Sequence, residues 1–135
     1  VEWVSRVDRS GPPADVLRRS FAAYFEFVTQ DRTTFELLRR NPHTVRAFAK
    51  DSTLSDERAR LSGILSEDIA AGRMPRVDVE FVAAAMIGAA FEVALCLVER
   101  DPPDVEAATR FASDLFIGFF QRTARRDASL SGGRP

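Results

Sequence analysis

After Pro13, apolar side chains recur at every third or fourth position, which is the spacing of one face of a helix. Gly11, Pro12 and Pro13 interrupt the pattern before this stretch, and proline is well tolerated in the first turn of a helix. The sequence therefore predicts a long first helix whose inward positions are Leu17, Phe21, Tyr24, Phe25 and Val28.

Start and stop signals divide the following residues into shorter helices. Thr33 and Glu36 have the spacing of a capping box, and the Asn-Pro pair at 41–42 favours a helix start. Ser55 is the predicted N-cap of the next helix, and the turn GRMPRVD ends that helix. Because no segment alternates as a strand would, the predicted fold class is all-α, an irregular bundle of about six helices.

One stretch, FVAAAMIGAAFEVALCLV at 81–98, contains a single charged residue, Glu92. A membrane span needs about 20 apolar residues. This stretch is slightly shorter and its neighbours are amphipathic, so we expect a buried helix of a soluble protein. A helix packed on one side only would have a polar face. We therefore expect the helix, from about Val79 to Glu99, to be covered from two directions.

A helical wheel divides this helix into two apolar faces. The face predicted to pack inside its own chain comprises Val82, Met86, Ala89, Val93, Cys96 and Leu97. The opposite face comprises Ala84, Gly88, Phe91 and Leu95, with Phe81, Glu92 and Glu99 at its edge. Ala84 and Gly88 are small, so a second helix can approach closely there.

The last helix has the same surplus of apolar surface, spread over about half of its circumference, whereas one packing surface needs only about 100°. Two such helices predict a symmetric homodimer to which each chain contributes its last two helices. The predicted dimer interface is Ala84, Gly88, Phe91, Glu92, Leu95, Phe111, Leu115, Phe116 and Phe119.

Composition and charge narrow the function classes. The 19 basic and 20 acidic residues give a net charge of -1, which argues against a dedicated nucleic-acid surface. The single cysteine, Cys96, excludes an internal disulfide, and the absence of a secretory signal favours the cytoplasm. One histidine, His43, and one tyrosine offer little for catalysis. We expect no enzyme activity, no cofactor and no metal.

Two segments carry a resemblance to a known family. In IAAGRMPRVDVEFVAAAMIGAAFEVAL a helix ends at Gly72, a turn with Arg73 and Asp78 follows, and Gly88 lies within a long apolar helix. ERDPPDVEAATRFASDLFIGFF is the step to the last helix. In both features the chain, from about Pro13 to Arg126, resembles the C-terminal ligand-binding and dimerisation domain of TetR-family transcriptional regulators.

This resemblance implies a pocket for an apolar or aromatic small-molecule effector, with Tyr24 supplying an orienting hydroxyl. The predicted ligand-binding residues are Phe21, Tyr24, Phe25, Val28, Phe35, Leu38, Phe48, Leu65, Met86, Ala89 and Val93. Aromatic residues at helical spacing also form ordinary cores, so a helical dimerisation or protein-interaction module without a ligand is the alternative. We expect Glu92 at the dimer or its rim. As a ligand contact it would select cationic compounds.

The resemblance also implies a domain organisation. Residues 1–12 would be the end of a connecting helix and a loop, residues 13–127 the effector-binding and dimerisation domain, and residues 128–135 a disordered tail. Nothing in the chain resembles the family's helix-turn-helix domain. Operator DNA would therefore be bound only through an N-terminal domain that this sequence does not contain.

Overall fold

A computed structural model describes residues 6–49 and 52–132, and the side chains of residues 6–45 and 56–130. These residues form an all-α bundle with no strand. The helices are α1 (Pro13–Gln30), α2 (Arg32–Arg40), α3 (Pro42–Ala49), α4 (Ser52–Ala70), α5 (Val79–Glu99) and α6 (Val105–Gly132).

Helix α1 begins at Pro13, as predicted, and residues 6–12 form a loop before it. Arg19 fastens this loop to the helix, since its guanidinium donates to the carbonyl oxygens of Asp8 and Ser10. Gly11 has φ +92, the left-handed region in which glycine is favoured. The predicted end of a connecting helix covers Val1 to Val7. Residues 1–5 lie outside the described residues, and Arg6 and Val7 are not helical.

The predicted cap of α2 is wrong. Asp31, not Thr33, is the N-cap, and its carboxylate accepts from the Thr34 N–H at 3.1 Å and from the Thr34 hydroxyl at 2.5 Å. Aspartate is a better N-cap than threonine. Asp31 also ends α1, because its N–H donates to the carbonyl of Phe27. One residue therefore both ends the first helix and starts the second.

The predicted start of α4 is also wrong, because Ser55 lies inside the helix that runs over Ser52–Ala70. The segment DSTLSDE contains neither glycine nor proline, so nothing in it stops a helix from forming earlier. The predicted end is confirmed. Gly72 has φ +75, and Gly72 and Arg73 donate to the carbonyls of Ile69 and Asp68. This pair of hydrogen bonds is a Schellman motif.

Helix α5 has the predicted bounds. Asp78 is its N-cap and accepts from the Phe81 N–H at 3.1 Å. Helix α6 starts similarly, because the Asp104 carboxylate accepts from the Ala107 N–H at 3.0 Å. It continues to Gly132, so residues 128–132 of the predicted disordered tail are helical. No glycine or proline lies between Gly118 and Gly132 to break it.

The core lies where α1, α5 and α6 meet. Helix α1 packs most extensively on α6, and α5 packs on α1, α2, α4 and α6. Phe25, Ala83, Ala94 and Ala112 are completely buried there. Burial of a large side chain such as Phe25 contributes roughly 1.5–3 kcal/mol. The small alanines let the helix backbones approach one another closely.

Candidate functional site

The predicted ligand-binding residues come together in the hydrophobic core. Those that are buried are Phe21, Phe25, Val28, Leu38, Leu65 and Met86. Those that are partly buried and pack against the core are Tyr24, Phe35, Ala89 and Val93. The side chain of Phe48 lies outside the described residues. We call the described members of this set the aromatic core cluster.

Aromatic rings organise one end of this cluster. The Phe21 ring stacks on Phe25 at 6.1 Å and on Phe116 at 5.9 Å between centroids. Tyr24 tilts against Phe25 at 5.5 Å. Such pairs contribute about 0.5–1.5 kcal/mol beyond the area they bury. The rings thus link α1 to α6.

Tyr24 is the titratable side chain of this cluster. Burial raises the pKa of its phenol to about 12, because the phenolate would lose its hydration among apolar neighbours. The phenol is therefore neutral near pH 7, so it can both donate and accept a hydrogen bond.

The outward surfaces of α5 and α6 carry large exposed apolar side chains. Phe81 is 75% exposed, Phe111 61%, Leu115 47% and Phe119 37%. Gly88 is also exposed, and a Cβ added to it would meet nothing within 4 Å. We call these five residues the outer apolar surface. Of the other predicted interface residues, Glu92 is exposed, and Ala84, Phe91 and Leu95 are half-buried.

Two side chains have the opposite orientation to the one predicted. Phe116 was expected in the dimer interface but is 6% exposed, because it packs on Phe21 inside the chain. Cys96 was expected inside but is exposed, and Ala94 and Val98 occupy the inner positions instead. When a helix is apolar on all sides, a helical wheel does not show which side faces the core, so the buried side can be assigned wrongly.

Two carboxylates, Asp68 and Glu92, lie at the surface or near it, and Glu92 is the one that the sequence analysis considered as a ligand contact. Asp68 is half-buried and forms an ion pair with Arg73 at 2.8 Å. Glu92 is exposed on the same side of α5 as Gly88. Neither carboxylate points to chemistry on a bound molecule.

Among the surface grooves of the described residues are two that α6 lines. The larger, about 560 Å³, lies between α1 and α6, and the other, about 460 Å³, lies along α6. Neither is lined by a residue of the aromatic core cluster. Sequence reasoning missed the larger groove, which contains Thr109 and Ser113. The sequence feature that could have indicated it is a pair of hydroxyl residues four positions apart within the apolar stripe of the last helix.

The described residues contain no group of histidine, cysteine and carboxylate side chains that could hold a metal ion. By length and composition, α5 alone among the described helices could cross a membrane. One such helix is weak evidence, because a core helix of a soluble protein meets the same criteria. Here α5 packs on four other helices.

Comparison with known protein families gives a match. The family model described as "Tetracyclin repressor-like, C-terminal domain" matches residues 13–118, which is most of the chain and includes helices α1 to α5 and half of α6. No curated protein matches the chain, and neither does any solved structure.

Proposed function

The chain belongs to the family of tetracycline repressor-like C-terminal domains, and we propose that it is the effector-sensing and dimerising part of a transcriptional regulator. The observation that carries this proposal is the family match across residues 13–118. Two structural features support its finer parts. They are the aromatic core cluster, for the effector, and the outer apolar surface, for the dimer.

The proposed effector is an apolar or aromatic small molecule that binds among the side chains of the aromatic core cluster. Small-molecule sites are mostly apolar and contain a few polar groups that orient the ligand. Here Phe21, Phe25, Phe35 and Met86 supply apolar surface, and the neutral phenol of Tyr24 supplies the polar group. A ligand with one hydroxyl or carbonyl on an aromatic ring fits this chemistry.

The effector acts by selecting one arrangement of the helices. Because the cluster is closely packed, a ligand has to favour a conformation in which these side chains separate. In the proposed regulator, the altered packing of α1 changes the spacing of two DNA-binding domains in the dimer. Coupling of this kind is typically worth 1–3 kcal/mol, about 5- to 150-fold in DNA affinity.

The proposed dimer forms through the outer apolar surface. Helices α5 and α6 pack against each other, and each of them carries exposed phenylalanines. Large exposed apolar patches mark interaction sites. Two copies related by a two-fold axis bury Phe81, Phe111, Leu115 and Phe119 in a four-helix interface. Its small residues are Ala84 and Gly88, and Glu92 lies at its rim.

The proposed regulator acts in the cytoplasm, where its operator DNA is located, and it needs no catalytic group, cofactor or metal. Its partners are a second copy, a hydrophobic effector, and operator DNA contacted by a helix-turn-helix domain. The family is one of regulators rather than a typical enzyme family.

Thermal unfolding with two matched probes tests effector binding. We expect 2-naphthol and naphthalene both to raise the melting temperature, and 2-naphthol to do so more. Tyr24→Phe keeps the ring and removes the hydroxyl, so it should reduce the effect of 2-naphthol to that of naphthalene. Absence of stabilisation by either probe would contradict a site in the aromatic core cluster.

A second candidate function is a dimerisation or protein-interaction module that binds no small molecule. The observation that favours it is the packing of the cluster, in which Phe25 is 0% and Val28 1% exposed. Neither principal groove reaches these residues. This candidate predicts a dimer whose melting temperature does not respond to either probe, so the same titration separates the two functions.

A further inference from the structure

The larger groove lies between the N-terminal half of α6 and the facing side of α1. Helix α1 contributes Arg18, Ala22 and Glu26 to its lining. Helix α6 contributes Val105, Glu106, Thr109, Arg110, Ser113 and Asp114. The groove shares no lining residue with the aromatic core cluster or with the outer apolar surface.

Two hydroxyl groups in this groove lack hydrogen-bond partners within the described part of the chain. They are Oγ1 of Thr109 and Oγ of Ser113, and both atoms are buried. Ser113 as a whole is only 1% exposed. Most buried polar side-chain atoms in proteins have a partner, so each exception requires an explanation.

Other helical hydroxyls of the same chain behave differently. Ser20 donates to the carbonyl of Val16 at 2.8 Å, and Thr29 donates to that of Phe25 at 2.9 Å. Thr123, also on α6, donates to that of Phe119 at 2.9 Å. Thr109 and Ser113 do not form this local bond, so two buried hydroxyls without partners lie on residues that line the groove.

The charges around these hydroxyls leave a negative surplus. Arg18 forms an ion pair with Asp15 at 3.3 Å, and Arg110 forms one with Glu106 at 3.0 Å. Both cations are therefore balanced. The groove also contains two more carboxylates, Glu26 on α1 and Asp114 on α6, and neither has an ion pair among the residues that the structure describes.

We propose that this groove binds a protonated alkylamine, with its ammonium group at Thr109 and Ser113. An ammonium group has three N–H donors and no acceptor, which suits two unpartnered hydroxyl oxygens and nearby carboxylates. Ala22 and Val105 provide apolar surface for the alkyl chain. The site is independent of the proposed effector site, since the two share no residue.

Isothermal titration of the full chain with three six-carbon probes tests this proposal. The probes are hexylammonium, hexan-1-ol and hexanoate, which have the same number of carbon atoms and different polar groups. We expect hexylammonium to bind at least tenfold more tightly than hexan-1-ol, and hexanoate to bind most weakly. Equal affinity for hexylammonium and hexan-1-ol would overturn the proposal.

Variants locate the bound amine. Ser113→Ala and Asp114→Asn should each weaken hexylammonium binding at least tenfold, because hydrogen bonds to charged groups are the stronger ones. If Ser113→Ala fails to fold, Thr109→Val tests the other hydroxyl of the groove. Ser20→Ala is the matched control on α1, since its hydroxyl already has a partner, and it should leave the affinity unchanged. Wild-type affinity in both hydroxyl variants of α6 would overturn the proposal.

Discussion

The inner and outer sides of the α5–α6 pair have similar compositions and opposite environments. On the inner side, Ala94 is 0% and Val98 1% exposed, whereas on the outer side Phe81 is 75% and Phe111 61% exposed. Apolar composition alone therefore does not decide which side of a helix is buried. The inner side is covered by α1, α2 and α4, and the outer side has no helix of its own chain over it among the described residues.

Two phenylalanines of α6 give the largest expected contrast between these sides. Phe116→Ala should lower the free energy of unfolding by about 3–5 kcal/mol, because it leaves a cavity beside Phe21. Phe111→Ala, the matched control, should change it by less than about 0.5 kcal/mol. Urea unfolding followed by circular dichroism, at a concentration where the protein is monomeric, measures both. Equal losses would mean that the two sides are not distinct.

A pH titration sharpens the description of the inner side. The folded-state pKa of Tyr24 is raised to about 12, so the unfolded chain loses this proton first as pH rises. The resulting stabilisation is fully present below pH ~10 and is lost between about pH 10 and 12, a loss of roughly 2–3 kcal/mol. Tyr24→Phe should remove this part of the pH dependence.

Ultraviolet absorbance of the phenolate reports Tyr24 directly, because it is the only tyrosine of the chain. The absorbance should rise together with unfolding rather than before it. Ionisation of Tyr24 in the intact fold near pH 10 would contradict its placement against the core.

Two alanines of α5 give the smallest expected contrast. Ala94→Leu adds volume at a completely buried position and should cost about 1–3 kcal/mol through overpacking. Ala85→Leu adds the same volume on the exposed side and should change monomer stability by less than about 0.5 kcal/mol. Urea unfolding of the monomer compares the two variants. A smaller loss for Ala94→Leu than for Ala85→Leu would reverse the assignment of the two sides of α5.

The sequence predicts the number of helices well, because prolines and glycines mark several of their ends. Pro13 starts α1, Gly72 ends α4, and α5 has its predicted bounds. The misplaced caps have a different origin. Thr33 and Asp31 are both plausible N-caps, and only the backbone geometry shows that Asp31 accepts the hydrogen bond from Thr34.

Side-chain orientation is harder to predict from the sequence. In α1, polar residues separate the apolar stripe, so Phe21, Phe25 and Val28 are placed correctly in the core. In α5, apolar residues lie on every side of the helix. The predicted inner face therefore wrongly included Cys96, which is exposed. The prediction for Phe116 is wrong for a similar reason, because five apolar residues are spread over about half of the circumference of α6. Which side of such a helix faces the core depends on its packing against distant parts of the chain, and the spacing of apolar residues does not encode that packing.

Whether the outer apolar surface forms a dimer is tested most directly by the molar mass of two glycine variants, measured by light scattering after size-exclusion chromatography. Gly88 and Gly63 are both exposed helical glycines at which an added Cβ meets nothing within 4 Å. Gly88→Leu therefore spares the fold of the single chain but holds the two α5 helices of a dimer apart. We predict a dimer for the wild type and for Gly63→Leu, and a monomer for Gly88→Leu. A dimer of unchanged mass and stability in Gly88→Leu would contradict this placement of the interface.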